Sequence, residues 1–459
     1  MAERFEIVEK ALLKMLEDKK YSTLRDILAT MNPSDVAGIF GSLRDKQIPL
    51  MYRLLPKELA AETFVEMEPE DQELLIRGFS DNELKEVLDE LYVDDAADLV
   101  EEMPANVVKR ILKQADPEMR SSINQILRYP EYSAGSIMTT EYVSLRPTMT
   151  VEEAILRIRR QGVDKETIYT CYVTSKDRTL IGLVTVKDLL LAEDDEMSIE
   201  EIMEKNMIFV NTQTDQEEVA RMFSKYNFLA LPVVDGEGRM VGIVTFDDAM
   251  DVMEEEATED MELMSGMTPS EKPYLRSSAF ELFKNRIPWL MLMMVSATFT
   301  GLIMTSFEDA LAAQIALSAF IPMLMGTGGN SGSQSSVTVI RGLSLGELEF
   351  RDIGIILWKE IRTAVMCGVA LAVVCFGKIW LVDRMMMGNT SITLQVDLVV
   401  CLALAVTVVV AKIVGCLLPM AAKAVKLDPA VMASPFISTI VDALSLLVYF
   451  LFAKMILGV

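Results

Sequence analysis

The chain has 459 residues, a length that suits about three domains. It carries a net charge of −25, no histidine, and five cysteines with no CxxC pair, which argues against nucleic-acid partners, His-based acid–base catalysis, zinc sites and a disulfide framework. The acidity is one-sided: residues 1–275 hold 30 basic and 57 acidic side chains, whereas residues 276–459 hold 13 and 11. An acidic polar part is therefore joined to a nearly neutral, apolar part, and clustered carboxylates suit hard cations that prefer oxygen ligands.

The N-terminus, MAERFEIVEKALLKML, is charged and helical and has no secretory apolar stretch, so the polar part is expected on the cytoplasmic side. Residues 1–134 read as an all-α domain of short amphipathic helices. PSDVAGIFGSL, PKELAAETFVEM and SDNELKEVLDEL each open on a Pro, Ser or Asp cap signal, and their loose recurrence predicts a superhelical array.

Residues 135–253 contain an internal duplication. Ile137-Met138 and Ile202-Met203 open the two copies, and Gly182-Leu-Val-Thr185 before Asp188 matches Gly242-Ile-Val-Thr245 before Asp248. Each copy is predicted as strand, helix, two strands and helix. The pattern resembles a tandem pair of CBS domains, an α/β regulatory module. As in other CBS pairs, Thr185, Asp188, Thr245 and Asp248 are candidate ribose or phosphate contacts, with ATP as the nucleotide.

A helix is predicted over 247–262, DDAMDVMEEEATEDME, leading into a connecting element assigned to residues 254–280. Asp248, Asp251, Glu255 and Glu259 share one face of it, and like charges stacked at helical spacing repel unless cations sit among them. Residues 281–459 then read as an α-helical transmembrane domain of five helices, over roughly 287–306, 313–339, 363–382, 396–422 and 430–453, each near or above the ~20 residues that cross a bilayer. Lys284, Arg286, Arg341, Arg351, Lys359, Arg362, Lys423 and Lys426 fall in the proposed inner flanks, against Lys378, Arg384 and Lys454 outside. That bias puts the N-terminal domains in the cytoplasm and the C-terminus outside.

Two apolar stretches carry polar chemistry. PMLMGTGGNSGSQSS (Pro322–Ser336) brings Asn330 and several hydroxyls to membrane depth among glycines that permit close helix approach. DPAVMASPFISTIVDALSLLVYF (Asp428–Phe450) carries two acids. Asp428-Pro429 is predicted to cap and open the last helix. Asp442 lies mid-span with no basic residue nearby in sequence, so an ion pair would have to come from another helix, such as Lys412; a passing cation is the leading alternative. Oxygen donors without His suit Mg²⁺ and Ca²⁺, between which the side chains do not choose.

The whole chain resembles the MgtE family of magnesium channels and transporters. The likeness is carried by GTGGNSGSQSS (Gly326–Ser336), RGLSLGEL (Arg341–Leu348), DPAVMASPFISTIVD (Asp428–Asp442) and DDAMDVMEEEATED (Asp247–Asp260). It implies a homodimer in the bilayer with one Mg²⁺ pore, lined by Asp442 with Ser434, Asn330 and Asp428 along the path. It also implies closure by cytosolic Mg²⁺ held by Asp248, Asp251, Glu256, Glu259 and Asp260, with Asp215, Glu217, Asp94, Asp95 and Asp98 as further ligands. Ser434 stands where some relatives carry Asn, and Asn227 where some carry an acid. Two other readings follow from the residues: a cation- or proton-coupled carrier in which Asp442 titrates, and a membrane-anchored CBS nucleotide sensor.

Overall fold

The structure, a computed structural model, describes residues 2–270, 272, 274–386, 388, 392–432 and 434–458. They form two compact units, residues 1–253 and 254–459.

The first unit opens with helices, as expected, from Ala2–Glu17 to Pro117–Ile126. The cap signals do their local work. Ser80 and Glu83 form a reciprocal capping box at Asp81–Leu88, Asp116 accepts from the amides of Glu118 and Met119, and Pro33, Pro69 and Pro117 occupy first-turn positions where no amide donor is needed. One continuous apolar core, including Leu28, Phe40, Phe64, Leu84 and Ile111, holds these helices together. All after the first have ten residues or fewer, too short to be stable alone, so this shared burial is what fixes them.

The duplicated region folds into two three-stranded sheets, β1 (Tyr142–Leu145), β2 (Thr167–Thr174) and β3 (Leu180–Thr185), then β4 (Val210–Asn211), β5 (Ala230–Val234) and β6 (Met240–Thr245). In each sheet the first strand pairs parallel with the second and the second antiparallel with the third. The repeated words pack across copies. Met138, from the start of the first copy, lies where a Cβ on Gly242 of the second would sit, and Met203 does the same at Gly182. Paired backbone hydrogen bonds between Thr139 and Ile243, and between Leu183 and Glu204, fix the exchange. Each Ile-Met opening therefore needs the glycine of the other copy, which explains why both words occur twice.

The second unit is helical. Among the described residues, four helices are long and apolar enough to cross a membrane: Ala279–Ser306, Phe350–Met386, Leu394–Ala424 and Pro429–Leu457. The expected fifth, Ile321–Ser344, is 24 residues long, but its Gly-, Ser- and Gln-rich centre leaves it outside that set. Its glycines set the packing. A Cβ on Gly415 of the Leu394–Ala424 helix would run into the carbonyl of Gly332, and one on Gly328 would lie 2.8 Å from Ser445 Oγ and from Thr407 Cγ2. Close helix approach through small residues is the membrane substitute for hydrophobic association. Gly415→Leu is expected to lower the folded yield sharply in detergent, measured by size-exclusion recovery, whereas Gly354→Leu, in open space, is expected to be tolerated.

The last helix differs from expectation at its start. Asp428 is exposed, and its Oδ1 accepts from the amide of Ala430 at 2.7 Å. It thereby caps a 3-10 turn, Pro429–Met432, and the long helix begins only at Ser434. Pro435 explains the delay: a proline is accommodated in a first helical turn but not further in.

Candidate metal centre

In the first unit, carboxylates from segments far apart in sequence converge. The helix Val93–Glu102 supplies Asp94, Asp95 and Asp98. The residues just before β1 and β2 supply Glu141 and Glu166, and the start of the helix Phe246–Met264 supplies Asp247 and Asp248. Oxygens of Asp94, Glu141 and Glu166 lie within 4.8 Å of one another. Strand register explains half of this: Tyr142 pairs with Thr167, so the residues one step earlier are neighbours, and the Glu166 amide donates to the Glu141 carbonyl at 3.0 Å. The Val93 amide donates to Glu141 Oε2 at 3.1 Å, tying the helical domain to the sheet.

The electrostatics of this cluster are unfavourable without a cation. Asp94 is only 6% exposed, and burial followed by the charge of Asp248 pushes its carboxyl well above the usual range. Burial and neighbouring carboxylates likewise raise Asp95 to about 7 and Glu166 to about 8. Asp248 rises to about 6, burial outweighing its hydrogen bond from Thr245. Asp94 Oδ1 and Glu166 Oε2 are buried with no hydrogen-bond partner among the described residues. Buried oxygens left unpaired are costly, and hard oxygen donors at this spacing fit Mg²⁺ or Ca²⁺.

A pH dependence follows. The folded-state values lie above the ordinary 3.8 and 4.5, so the folded protein binds more protons than the unfolded chain between about pH 4 and 8. The stability this contributes is complete below about pH 4 and is lost as pH rises to about 8. The melting temperature of metal-free protein is expected to fall by several degrees from pH 5 to pH 8, and millimolar Mg²⁺ is expected to flatten the slope; scanning calorimetry checks both.

The other expected ligands are distributed differently. Asp98 is exposed on the same helix. Asp215 caps the helix Gln216–Tyr226 by accepting from the Glu217 amide, and Glu217 pairs with Arg221. Asp251 and Glu259 are exposed on the acidic helix and Glu256 is half-buried, while Asp260 accepts from Ser344 Oγ at 2.9 Å. Thr185 with Asp188, and Thr245 with Asp248, form side-chain to backbone caps at helix starts. Sequence reasoning missed Glu141 and Glu166. The duplication does not mark them, because by strand register Asn206 and Tyr226 occupy the matching positions of the second copy.

In the second unit, Asp442 is half-buried near the middle of the last helix, without an ion pair or hydrogen bond among the described residues. Lys412 is not its partner. Lys412, 5% exposed, pairs with Glu360 at 3.6 Å and donates to Ser335 Oγ at 3.1 Å, and Ser335 donates to Glu360 at 2.8 Å. Glu360 was not anticipated; only the helix packing brings it to Lys412. Lys412→Met alone is expected to cost about 3–5 kcal/mol by stranding Glu360, and Lys412→Met with Glu360→Gln much less, measured as unfolding in detergent. The glycine-rich helix lies beside the Asp442 helix, with Gly329 against Ser438 and Gly332 against Ile437 and Val441. Asn330 and Gln334, four apart, are exposed on it. Ser434 opens the last helix, and its side chain lies outside the described residues.

A multidomain chain with a buried carboxylate cluster and a bundle of apolar helices has the build of a membrane transporter for divalent cations. Family comparisons agree: residues 31–132 match the MgtE intracellular N domain, residues 134–195 and 199–255 match CBS domains, and residues 321–452 match the MgtE divalent cation transporter domain. The magnesium transporter MgtE of Thermus thermophilus is 35% identical over 97% of this chain and 98% of its own length, and that of Bacillus subtilis is 31% identical over 96% and 95%. The chain belongs to the MgtE family of magnesium transporters and is not an enzyme. Among solved structures, the cytosolic domain of the Mg²⁺ channel MgtE in complex with ATP is similar at a TM-score of 0.51, 39% identical, over 53% of this chain and 99% of that one. The soluble part of a magnesium transporter is similar at 0.51 and 30% identity over 55% and 99%.

Proposed function

We propose that this chain is a Mg²⁺-selective channel of the cytoplasmic membrane, working as a homodimer and closed by cytosolic Mg²⁺. The observation that carries the regulatory part is the convergence of Asp94, Glu141, Glu166 and Asp248, which come from the helical domain, the first CBS copy and the start of the acidic helix. Without a cation their repulsion favours separation of these parts. Mg²⁺ supplies the positive charge that turns repulsion into attraction. Asp95, Asp98 and Asp251 would add weaker sites, as would Asp215, Glu217, Glu256, Glu259 and Asp260. A ligand biases an equilibrium only by its difference in affinity between two states, so several weak sites acting together suit this role.

The pore reading rests on Asp442 and on the exposed polar residues Asn330 and Gln334 of a helix that otherwise packs through glycine. Such residues face water or another polypeptide at membrane depth rather than lipid. A second copy across a shared axis supplies both, with Ser434 and Asp428 nearer the mouth. Five spans, with Ile321–Ser344 as the second, put the N-terminal domains in the cytoplasm and the C-terminus outside. Residues 1–134, 135–253, 254–280 and 281–459 are then the helical, CBS, connecting and pore segments.

ATP is a second ligand to consider, since a similar cytosolic domain was solved with it. On this chain it would meet Thr185 and Asp188, or Thr245 and Asp248, whose hydroxyl and carboxylate already sit together at helix starts. The deciding experiment is Mg²⁺ flux into liposomes at varied internal Mg²⁺. Steep closure at millimolar Mg²⁺ with single-channel currents is expected; flux that instead follows an imposed proton gradient makes the protein a carrier, and ATP binding without flux makes it a sensor.

A further inference from the structure

The first CBS copy holds a cleft of about 460 Å³ whose charge is opposite to that of the rest of its unit. Arg146, Arg157, Lys165 and Arg178 line it, and no carboxylate does. In residues 1–275, where 57 acidic side chains face 30 basic ones, four cations collected at one cleft would be expected to find acids. None of the four makes an ion pair among the described residues. Arg146 instead donates to the carbonyls of Thr174 and Ser175, and Arg178 to that of Met240, bonds that leave both positive charges uncompensated. Arg157 Nε is buried with no hydrogen-bond partner among the described residues.

Comparison of the two copies sharpens this. By strand register, Arg178 of the first copy matches Gly238 of the second, and both have left-handed backbones, at φ +66° and +76°. Glycine adopts that conformation freely and arginine does not, so the first copy accepts backbone strain to hold a guanidinium there. Asn211 stands opposite Arg146, and Met222 opposite Arg157 when the helices are aligned from their caps. The cationic cleft is thus a specialisation of one copy. Thr185 and Asp188 do not line it, so it is distinct from the Thr-x-x-Asp helix start.

We propose that this cleft binds a small, soluble phosphate-bearing anion, with Arg146, Arg157, Lys165 and Arg178 as its counter-charges. Guanidinium forks and an ammonium match phosphate oxygens, and the volume admits a di- or triphosphate chain as well as a single group. The test is calorimetric titration of the full-length protein, in neutral detergent and EDTA, with sodium tripolyphosphate. Saturable binding is expected, weakened about tenfold or more in the Arg157→Gln/Lys165→Gln variant and unchanged in Lys113→Gln, which removes an exposed cation outside the cleft. The charge-retaining Arg157→Lys/Lys165→Arg variant should restore most of the affinity, which separates lost charge from lost fold. Absence of saturable binding, equal binding by the neutralised variant, or loss in Lys113→Gln would each overturn the proposal. Displacement of tripolyphosphate by phosphatidylglycerol vesicles would overturn the soluble source in favour of a lipid headgroup; no displacement supports it.

Discussion

Asp442→Ala is expected to abolish Mg²⁺ uptake into proteoliposomes while expression and oligomeric state stay normal. The size of the effect follows from Coulomb's law. A carboxylate about 7 Å from a divalent ion, far enough for a hydration shell between them, contributes roughly 4–5 kcal/mol at an effective dielectric of 20. Two copies around one path contribute twice. Removing them should reduce flux by two orders of magnitude or more, counted roughly at 1.4 kcal/mol per tenfold. The structural cost of the substitution is small, because Asp442 has no hydrogen bond or ion pair to lose among the described residues. Asp442→Asn should be nearly as inactive as Ala, since an amide keeps the shape and loses the charge, whereas Asp442→Glu should retain measurable flux. Normal uptake by the Ala variant would remove Asp442 from the ion path. An unpaired acid at membrane depth would then need another explanation, and no described basic residue offers one: Lys412 is engaged by Glu360.

What the sequence disclosed and what it withheld divide along physical lines. The tandem CBS copies were legible because their words, Ile-Met and Gly-x-Val-Thr, are local and repeated, and the cross-packing of Met138 on Gly242 and Met203 on Gly182 shows why those residues are required. The short helices of residues 1–134 were legible from their start signals, as at Pro33 and Ser80. The membrane part was legible from length and hydropathy, with one exception. Ile321–Ser344, read in the sequence as the second of five spans, carries its polar residues at its centre and falls outside the four helices that are long and apolar enough among the described residues. Single acids were harder. Asp428 looks like a helix cap and is one, but for a 3-10 turn, because Pro435 holds the helix start at Ser434. Glu141 and Glu166 carry no local signal at all. They become a site only through the parallel pairing of β1 with β2 and the docking of Val93–Glu102 beside it, which are non-local contacts. Glu360 is the same case in the membrane unit: an ordinary acid until helix packing brings it to the buried Lys412.

The second large effect concerns the gate. Asp94→Asn, Glu166→Gln and Asp248→Asn combined are expected to leave Mg²⁺ flux high at millimolar internal Mg²⁺, where the unmodified protein closes. Two opposed effects must be weighed. Neutral amides remove the repulsion that separates the acidic parts, which favours closure. They also remove the ligand oxygens through which an ion would draw those parts together, which favours opening. The second should prevail, because relief of repulsion brings the interaction only to zero. A bridging divalent ion instead adds attraction, and moving an equilibrium from mostly open to mostly closed needs roughly 5 kcal/mol of differential binding. Asp94→Lys provides the opposite perturbation. An ammonium placed beside Glu141 and Glu166, whose oxygens lie within 4.8 Å of those of Asp94, would supply fixed positive charge to the cluster. That variant should conduct poorly even with no internal Mg²⁺, and its melting temperature should lose most of its response to added Mg²⁺. If the amide variant closes normally, or the Lys variant opens as the unmodified protein does, the carboxylate cluster is not the sensor, and the exposed acids Asp251 and Glu259 further along the helix become the next residues to neutralise.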